Sequence, residues 1–282
     1  MLLLKIIAKL SAKQGVFKMN FKDFYLNESE KPLDRLVEGY SHTSVFRKIA
    51  FIGDSLSSGE FETRDAAMNP GYHDLFEYSW GQYIARSNGL TAYNFSRGGM
   101  TAKEYIESFA ESKGFWSEDF ASQAYVIALG VNDLYNMNME LGSLDDINKE
   151  DWTKNAQTFL GYYGAIISRY KQISPDAKFF FVTFPKESDR EGDQRTLKMV
   201  NALYELAEFF GNSYVIDLYK YGPEYDKEFN ENFFMYGHMN PSGYIVTARL
   251  IDSYIDYIVR HNPKDFANIA FVGTNIKYKP YE

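Results

Sequence analysis

The stretch RKIAFIGDSLSSGEFE, residues 47–62, decides how this chain folds. Its first half is a run of β-favouring apolar residues that stops at Gly53, and Asp54 and Ser55 follow at once. A continuous apolar run, in place of strict alternation, is typical of a parallel strand that is covered on both faces. The stretch therefore predicts a buried strand that ends by presenting a serine, either as a turn residue or as a nucleophile.

The rest of the chain repeats this pattern of apolar runs, with helical periodicity between several of them. The further runs are LTAYNFS (90–96), AYVIALG (124–130), KFFFVTF (178–184) and SYVIDL (213–218). Apolar residues keep a three–four spacing over 159–173 and 197–210, and a last helix is predicted after Asn240 as N-cap with Pro241 in its first turn. Five strands with crossover helices predict an α/β protein, a three-layer α/β/α sandwich with a five-stranded parallel sheet.

Composition and charge narrow the choice of partners. The 282 residues include 30 Lys and Arg against 38 Asp and Glu, which gives a net charge of −8. Because nucleic acids and anionic membranes bind clustered basic residues, neither partner is expected, and a small-molecule substrate is favoured. The chain has no cysteine, which excludes disulfides, thiolate metal sites and a cysteine nucleophile.

We expect one domain with additions at both ends. The domain is placed at 46–262, after an N-terminal extension over 1–45, and a tail over 263–282 is expected to pack on it as a clasp or edge strand. The first residues, MLLLKIIAKLSAKQ, have lysines within the apolar run and no small-residue cleavage site, so they predict an amphipathic helix or an over-extended start, with Met19 as the alternative start. No segment reaches the roughly 18 apolar residues that span a membrane, and we expect a cytoplasmic protein.

Candidate reactive residues follow the predicted strands. Ligands of an open parallel sheet bind outside the carboxyl ends of its strands. Ser55 follows the first strand, and His238, before the last helix, is a side chain suited to act as its base. The turn at 98–99 and the Asn132 amide offer N–H groups for the oxyanion of an acyl-transfer intermediate, and the Ser55 N–H would be a third donor.

Each candidate also has a structural explanation. Ser55 would cap the helix after the first strand, and Gly99 with its neighbour Gly98 would form a turn with positive φ. Asn132 and the adjacent Asp133 would cap a helix. His73 is the rival base, although its loop suits a role beside the substrate better. The residues considered for a substrate cleft are Glu60, Glu62, His73, Glu77, Tyr78 and Trp80.

Four sequence blocks carry a family resemblance. IGDSLS, NFSRGGMT, LGVND and GHMNPSGY resemble, in order and approximate spacing, the blocks of the SGNH (GDSL) hydrolases, over about residues 48–260. The resemblance implies a flavodoxin-like fold with strand order 2-1-3-4-5 and no metal or organic cofactor. It also implies ester hydrolysis with Ser55 as nucleophile, His238 as base, and Gly99 and Asn132 as oxyanion donors. The family's breadth suggests a small acyl group, such as acetyl, on a carbohydrate or other polar alcohol.

One position departs from the family pattern. Met235 stands three residues before the histidine, where the family has the aspartate that orients it. A backbone carbonyl near Met235 is the favoured substitute, which would make a Ser–His dyad, and Asp217 and Asp133 are the acidic alternatives. The competing hypothesis is a catalytically impaired protein that keeps the fold and binds an acylated glycan or a partner.

Overall fold

A computed structural model describes residues 27–188 and 194–278. The chain divides into two compact units, Met1–Lys31 and Pro32–Glu282. Of the first, the described residues form a turn in which the Glu30 N–H donates to the Asn27 carbonyl (3.0 Å). The amphipathic helix predicted at the N-terminus lies outside the described residues. The domain boundaries at 45 and 262 stay a prediction.

The second unit contains nine described strands: β1 (Lys48–Gly53), β2 (Glu60–Arg64), β3 (Pro70–Asp74), β4 (Thr91–Ser96), β5 (Ala124–Ala128), β6 (Lys178–Val182), β7 (Ser213–Ile216), β8 (Phe234–Met235) and β9 (His238–Met239). Five of them form a parallel sheet with the order β4-β1-β5-β6-β7. Two antiparallel hairpins, β2–β3 and β8–β9, stand apart from it. Numbered by its own five strands, the sheet has the order 2-1-3-4-5, so the predicted α/β fold is confirmed.

The helices begin and end with recognisable caps. Asn240 caps the last helix through its side chain, which accepts from the Gly243 N–H, and Pro241 is the first helical residue, as predicted. The α-helices are α1 (Ser55–Ser58), α2 (Trp80–Asn88), α3 (Ala102–Glu104), α4 (Ala110–Ser112), α5 (Phe159–Ile173), α6 (Gln194–Phe210), α7 (Leu218–Tyr221), α8 (Lys227–Phe233) and α9 (Pro241–His261). Single π-helical segments cover Tyr105–Phe109 and Asn132–Asn136, and 3₁₀ turns cover His42–Val45, Phe76–Tyr78, Glu118–Phe120, Leu144–Asp146, Trp152–Lys154 and Ile269–Phe271.

The sheet is covered on both faces, which explains its continuous apolar strands. Along β1, Ala50 and Ile52 face a cluster that includes α5 and α6 residues, whereas Ile49 and Phe51 face α2 and α9. All four side chains are fully buried. Burial of each large apolar side chain contributes about 1.5–3 kcal/mol, so the two clusters hold the strand ends in place.

Three sheet strands end two residues before the predicted apolar runs do. After β5, Gly130 adopts a φ of 129°, where a Cβ would come 3.0 Å from the Phe159 ring. After β7, Asp217 caps α7 by accepting from the Lys220 N–H. A glycine in the positive-φ region ends one of these strands and a polar helix cap ends another, although the apolar pattern continues in both.

The C-terminal tail contributes to the core without forming a strand over 263–278. Phe266, Ile269 and Val272 are buried in the cluster that covers one sheet face. Arg47 and Gln123 donate to carbonyls of Ala270 and Ile269, which fixes the tail backbone. Across the part of the chain that the structure describes, no helix combines the length and apolar character needed to cross a bilayer.

Candidate active site

Ser55 lies at the carboxyl end of β1 as the first residue of α1. The helix cap is Asp54, whose carboxylate accepts from the Leu56 N–H (3.1 Å), so Ser55 is not needed as a cap. Ser55 is half-buried, and none of the described residues forms a hydrogen bond with its hydroxyl. This position leaves Ser55 available to a substrate at the edge of the sheet.

The turn after β4 presents the second predicted element. Gly99 has a φ of 71°, in the left-handed region that favours glycine, and the Met100 N–H closes the turn on the Arg97 carbonyl (3.2 Å). Gly98 has another constraint, because a Cβ there would collide with the Glu60 carboxylate. The two glycines therefore serve different purposes, one for backbone conformation and one for space.

Asn132 joins this turn to the end of β5. Its Nδ2 donates to the Met100 carbonyl (3.0 Å), and its Oδ1 accepts from Asn136 Nδ2 (2.6 Å). These contacts determine the orientation of the amide, and they place Asn132 beside the Gly98–Gly99 turn. The predicted oxyanion donors are thus brought to the same edge of the sheet.

Asp133 holds the two segments together. Its carboxylate accepts from the Ala102 N–H at the start of α3 (2.9 and 3.1 Å). The side chain is fully buried, and burial raises its pKa to about 6 despite the backbone hydrogen bonds that lower it. Asp133 therefore caps the start of helix α3 from a different segment of the chain, and it is not available to orient a histidine.

His238 lies on the β8–β9 hairpin between two carboxylates of strand β2. Its Nε2 is 2.9 Å from Glu60 Oε1, and its Nδ1 is 3.2 Å from Glu62 Oε2. The three side chains are 15%, 11% and 5% exposed respectively, so these contacts are shielded from solvent. The Tyr72 ring packs edge-on against the imidazole with 5.6 Å between ring centroids.

The predicted partner of the Nδ1 atom is therefore wrong. The sequence favoured a backbone carbonyl near Met235, but the group that contacts Nδ1 is the Glu62 carboxylate. This carboxylate also accepts from the Gly237 N–H (2.8 Å). The alternative Asp217 is bound elsewhere, because it accepts from the Tyr204 hydroxyl (2.9 Å) and caps α7. Met235 pairs with His238 across the hairpin and is 38% exposed.

The pKa values of the two glutamates are shifted in opposite directions. Burial raises the pKa of Glu60, and the charge of His238 only partly offsets this. Burial also acts to raise the pKa of Glu62, but the Gly237 N–H, His238 and the Arg64 guanidinium together hold it below its ordinary value. Glu62 is thus the better-stabilised anion of the pair.

Ser55 and His238 lie in packed neighbouring segments without a direct hydrogen bond. Helix α1 contacts β9, and Ser55 and Gly237 both border a cavity of about 800 Å³. In the structure the Nε2 atom faces Glu60, not Ser55. The lining of the cavity is mostly apolar and includes Trp80, Val182, Phe184, Leu218, Tyr225, Phe234, Met239 and Ile251.

The rival histidine and the cleft candidates separate into two groups. His73 lies on the exposed side of β3, where its Nε2 is 3.0 Å from the Thr63 hydroxyl. Glu77 and Tyr78 are exposed on the 3₁₀ turn after β3, and Trp80 packs in the core against Phe51 (5.1 Å between ring centroids). Only Glu60 and Glu62 reach His238, because residues i and i+2 of a strand share a face. The alternation in the short segment EFE, residues 60–62, is the sequence signal that both glutamates lie on one face of a strand.

Asp54 gives a testable pH dependence of stability. Burial raises its pKa to about 7 from 3.8, with a further contribution from the neighbouring Asp133 charge. The folded protein therefore binds a proton that the unfolded chain has released, and the stability that this provides is present below pH 4 and lost as the pH rises through 7. We expect Asp54→Asn, which keeps the cap oxygen, to be more stable than wild type by a few kcal/mol at pH 8, with a gap that shrinks towards pH 5.

Urea unfolding of both proteins at pH 5, 6.5 and 8 measures this gap. An equal difference in unfolding free energy at all three pH values would contradict the raised pKa.

Comparisons with known proteins agree with the fold that carries this site. A solved structure that aligns with 76% of this chain and 98% of its own length has a TM-score of 0.55 at 23% identity. A family two carbohydrate esterase from Clostridium thermocellum in complex with cellohexaose has a TM-score of 0.50 at 16% identity, over 82% of this chain and 67% of that one. A putative GDSL-like lipase from Bacteroides uniformis also has a TM-score of 0.50 at 16% identity, over 73% and 93%. A search among curated proteins finds no match.

These structural likenesses establish the fold, a three-layer α/β/α sandwich on a five-stranded parallel sheet. The sequence establishes the family, since the model described as the GDSL-like Lipase/Acylhydrolase family matches residues 51–246. The chain belongs to this family of ester hydrolases.

Proposed function

We propose that the protein is a serine esterase in which Ser55 attacks a carboxylic ester and His238 is the base. The observation that carries the proposal is the placement of His238. A carboxylate contacts its Nδ1 atom, and the β8–β9 hairpin that bears His238 packs against the helix that bears Ser55. The family match supports the reaction class.

The proposed reaction has two steps. His238 Nε2 takes the Ser55 proton as Oγ attacks the carbonyl carbon, and the carbonyl electrons move to an oxyanion that accepts from the N–H groups of Ser55 and Gly99 and from the Asn132 amide. Collapse breaks the bond to the alcohol, which leaves with the proton from Nε2. In the second step Nε2 takes a proton from water as the water oxygen attacks the acyl carbon. The bond between the acyl carbon and Ser55 Oγ then breaks, and Oγ takes the proton from Nε2. Since Nε2 faces Glu60 in the structure, the first step requires Nε2 to exchange that carboxylate for the Ser55 hydroxyl.

The surroundings of the site support a polar alcohol. The leaving group must reach His238, and the hairpin beside it presents charged and polar groups, among them Arg64 and Asp74. We propose a small acyl group such as acetyl on a carbohydrate or a similar alcohol. That a structural neighbour is a carbohydrate esterase is consistent with this choice.

The apolar cavity favours a second candidate for the acyl group. At about 800 Å³ it exceeds what an acetyl group fills, and Ser55 lies on its border. A medium-chain acyl group would place its methylene groups against this lining. Both candidates share the same nucleophile and differ only in acyl length.

Fluorophosphonate labelling and an ester series test the proposal. We expect covalent label on the peptide that contains Ser55, and turnover of p-nitrophenyl esters. Acetate preferred over butyrate and octanoate supports the acetyl candidate, and octanoate preferred supports the cavity as an acyl site. A folded protein with neither label nor turnover would favour the binding protein suggested by Met235. The cytoplasmic location stays a prediction.

Asn132→Ala measures the proposed oxyanion role. Loss of one preorganised donor should lower kcat by roughly 10²–10³, with KM little changed, because the donor binds charge that develops only in the transition state. Steady-state kinetics with p-nitrophenyl acetate give the value, and thermal unfolding checks that the turn at Met100 is intact. An unchanged kcat in a folded variant would remove Asn132 from the site.

A further inference from the structure

The departure at Met235 has a structural counterpart on a different strand. We propose that Glu62 is the positioning residue of the site, the carboxylate that orients His238 in place of the aspartate that the family pattern has at position 235. This assignment rests on the proposed serine esterase chemistry and deepens it. The carboxylate belongs to the β2–β3 hairpin, which follows the helix that bears Ser55. Glu62 is 176 residues away from His238 along the chain.

The contacts of Glu62 are those of a group built to hold an imidazole. One oxygen, Oε2, lies 3.2 Å from His238 Nδ1 and also accepts from the Gly237 N–H at 2.8 Å, so it is fixed relative to the histidine backbone. The other oxygen, Oε1, pairs with Arg64. A buried carboxylate is costly unless it is paired and hydrogen-bonded, and both of its oxygens have partners.

The neighbouring backbone leaves room for this carboxylate. A Cβ at position 237 would come 2.8 Å from Glu62 Oε2, so the glycine before His238 allows the close approach. Phe61, between the two glutamates, faces the opposite side and packs against Tyr78 and Tyr244 (5.7 and 5.4 Å between centroids). The Tyr244 hydroxyl also donates to the Glu60 carbonyl (2.7 Å). The strand is therefore anchored from the core, and Glu62 is held towards the histidine.

The two glutamates on this strand have different positions relative to the reaction. Glu60 contacts Nε2, the atom that must receive the serine proton, whereas Glu62 contacts Nδ1, the atom that an orienting carboxylate bonds in a catalytic triad. An anionic partner on Nδ1 keeps the proton there, so Nε2 is left as the base once it has exchanged the Glu60 carboxylate for the Ser55 hydroxyl. Glu62 therefore fixes the tautomer and stabilises the imidazolium that forms.

Glu62→Gln is the direct test, with Glu77→Gln as matched control on the exposed turn that follows the same hairpin. Glutamine keeps the size and the acceptor for Gly237 but loses the charge. Since the equivalent loss in a serine protease lowers kcat about 10⁴-fold, we expect a decrease of about 10³–10⁴ in kcat with KM little changed. Glu62→Asp, which restores the charge on a shorter chain, should be more active than Glu62→Gln.

Two readouts separate positioning from mere support of the fold. The acidic limb of the kcat/KM profile should move to lower pH in Glu62→Gln, because a carboxylate beside an imidazole favours its protonated form. ¹⁵N NMR of the imidazole should show the proton on Nδ1 in wild type and a shift towards Nε2 in the variant. The other ionisable groups of this cluster are the same in both proteins: Glu60 and Tyr72 contact His238, Arg64 pairs with Glu62 and lies over the Tyr236 ring, and the charges of His73 and Asp74 act on Glu60.

The outcomes distinguish this assignment from the proposed function. If Ser55→Ala abolishes turnover while Glu62→Gln stays within threefold of wild type, or loses no more than Glu77→Gln, the esterase stands and Glu62 is not its positioning residue. If Ser55→Ala retains turnover, the proposed function fails. If Glu62→Gln proves unstable, the ¹⁵N NMR signals of His238 in the wild-type protein decide, and a proton on Nε2 in place of Nδ1 would overturn the assignment.

Discussion

Replacing Ser55 with alanine is expected to lower kcat by about 10⁶-fold, to the background set by binding and oxyanion donors. In serine hydrolases built on a nucleophile and a base, loss of the nucleophile removes the covalent route entirely, which is the reason for a loss of this size. The half-buried hydroxyl of Ser55 has no structural hydrogen bond to lose, so the variant should keep the wild-type stability. Hydrolysis of p-nitrophenyl acetate with wild type and variant at equal concentration measures the effect.

Ser57→Ala is the matched control for this experiment. Ser57 lies two residues further along the same helix, and its hydroxyl is buried without a hydrogen-bond partner among the described residues. Removing an unsatisfied buried hydroxyl should leave the unfolding free energy unchanged or raise it, and turnover should stay near wild type. Equal losses of kcat in Ser55→Ala and Ser57→Ala would show that the helix, not the Ser55 nucleophile, was being measured.

His238→Ala should lower kcat by a similar factor of about 10⁶, and it should also prevent fluorophosphonate labelling. In the proposed mechanism the imidazole accepts the Ser55 proton, so the hydroxyl of the variant would be a poor nucleophile. If the two residues act as one unit, as proposed, the double variant Ser55→Ala, His238→Ala should be no slower than either single variant. Stopped-flow and steady-state assays of the three proteins compare their kcat values directly.

The rival histidine provides the control. His73 is exposed on β3 and contacts Thr63, so His73→Ala should retain most of the turnover and the label. A collapse of activity in His73→Ala, together with a mild effect of His238→Ala, would reverse the assignment of the base. Losses that multiply in the double variant would contradict a shared mechanism.

The partner of His238 Nδ1 is a contact that the sequence does not predict. Position 235 is Met where the family pattern has an aspartate, and the sequence predicts a backbone carbonyl close by as its substitute. The actual neighbour of Nδ1 is Glu62, 176 residues away along the chain. The β2–β3 hairpin was not predicted, since its strands are short and charged and their alternation resembles a polar loop. A contact between hairpins depends on their packing, which no local pattern encodes.

Local patterns in the sequence were sufficient to predict the five strands of the sheet and the segments that meet at its carboxyl edge. The family resemblance predicted the strand order. Apolar runs determine buried strands because both faces are covered, and caps such as Asn240 determine where helices begin. Only the tertiary structure decided which side chains face His238: it placed Glu60 on Nε2 and Glu62 on Nδ1, and it committed Asp133 and Asp217 to backbone caps. The physical reason is that burying a carboxylate requires partners, and those partners come from segments distant in sequence that are brought together only by folding.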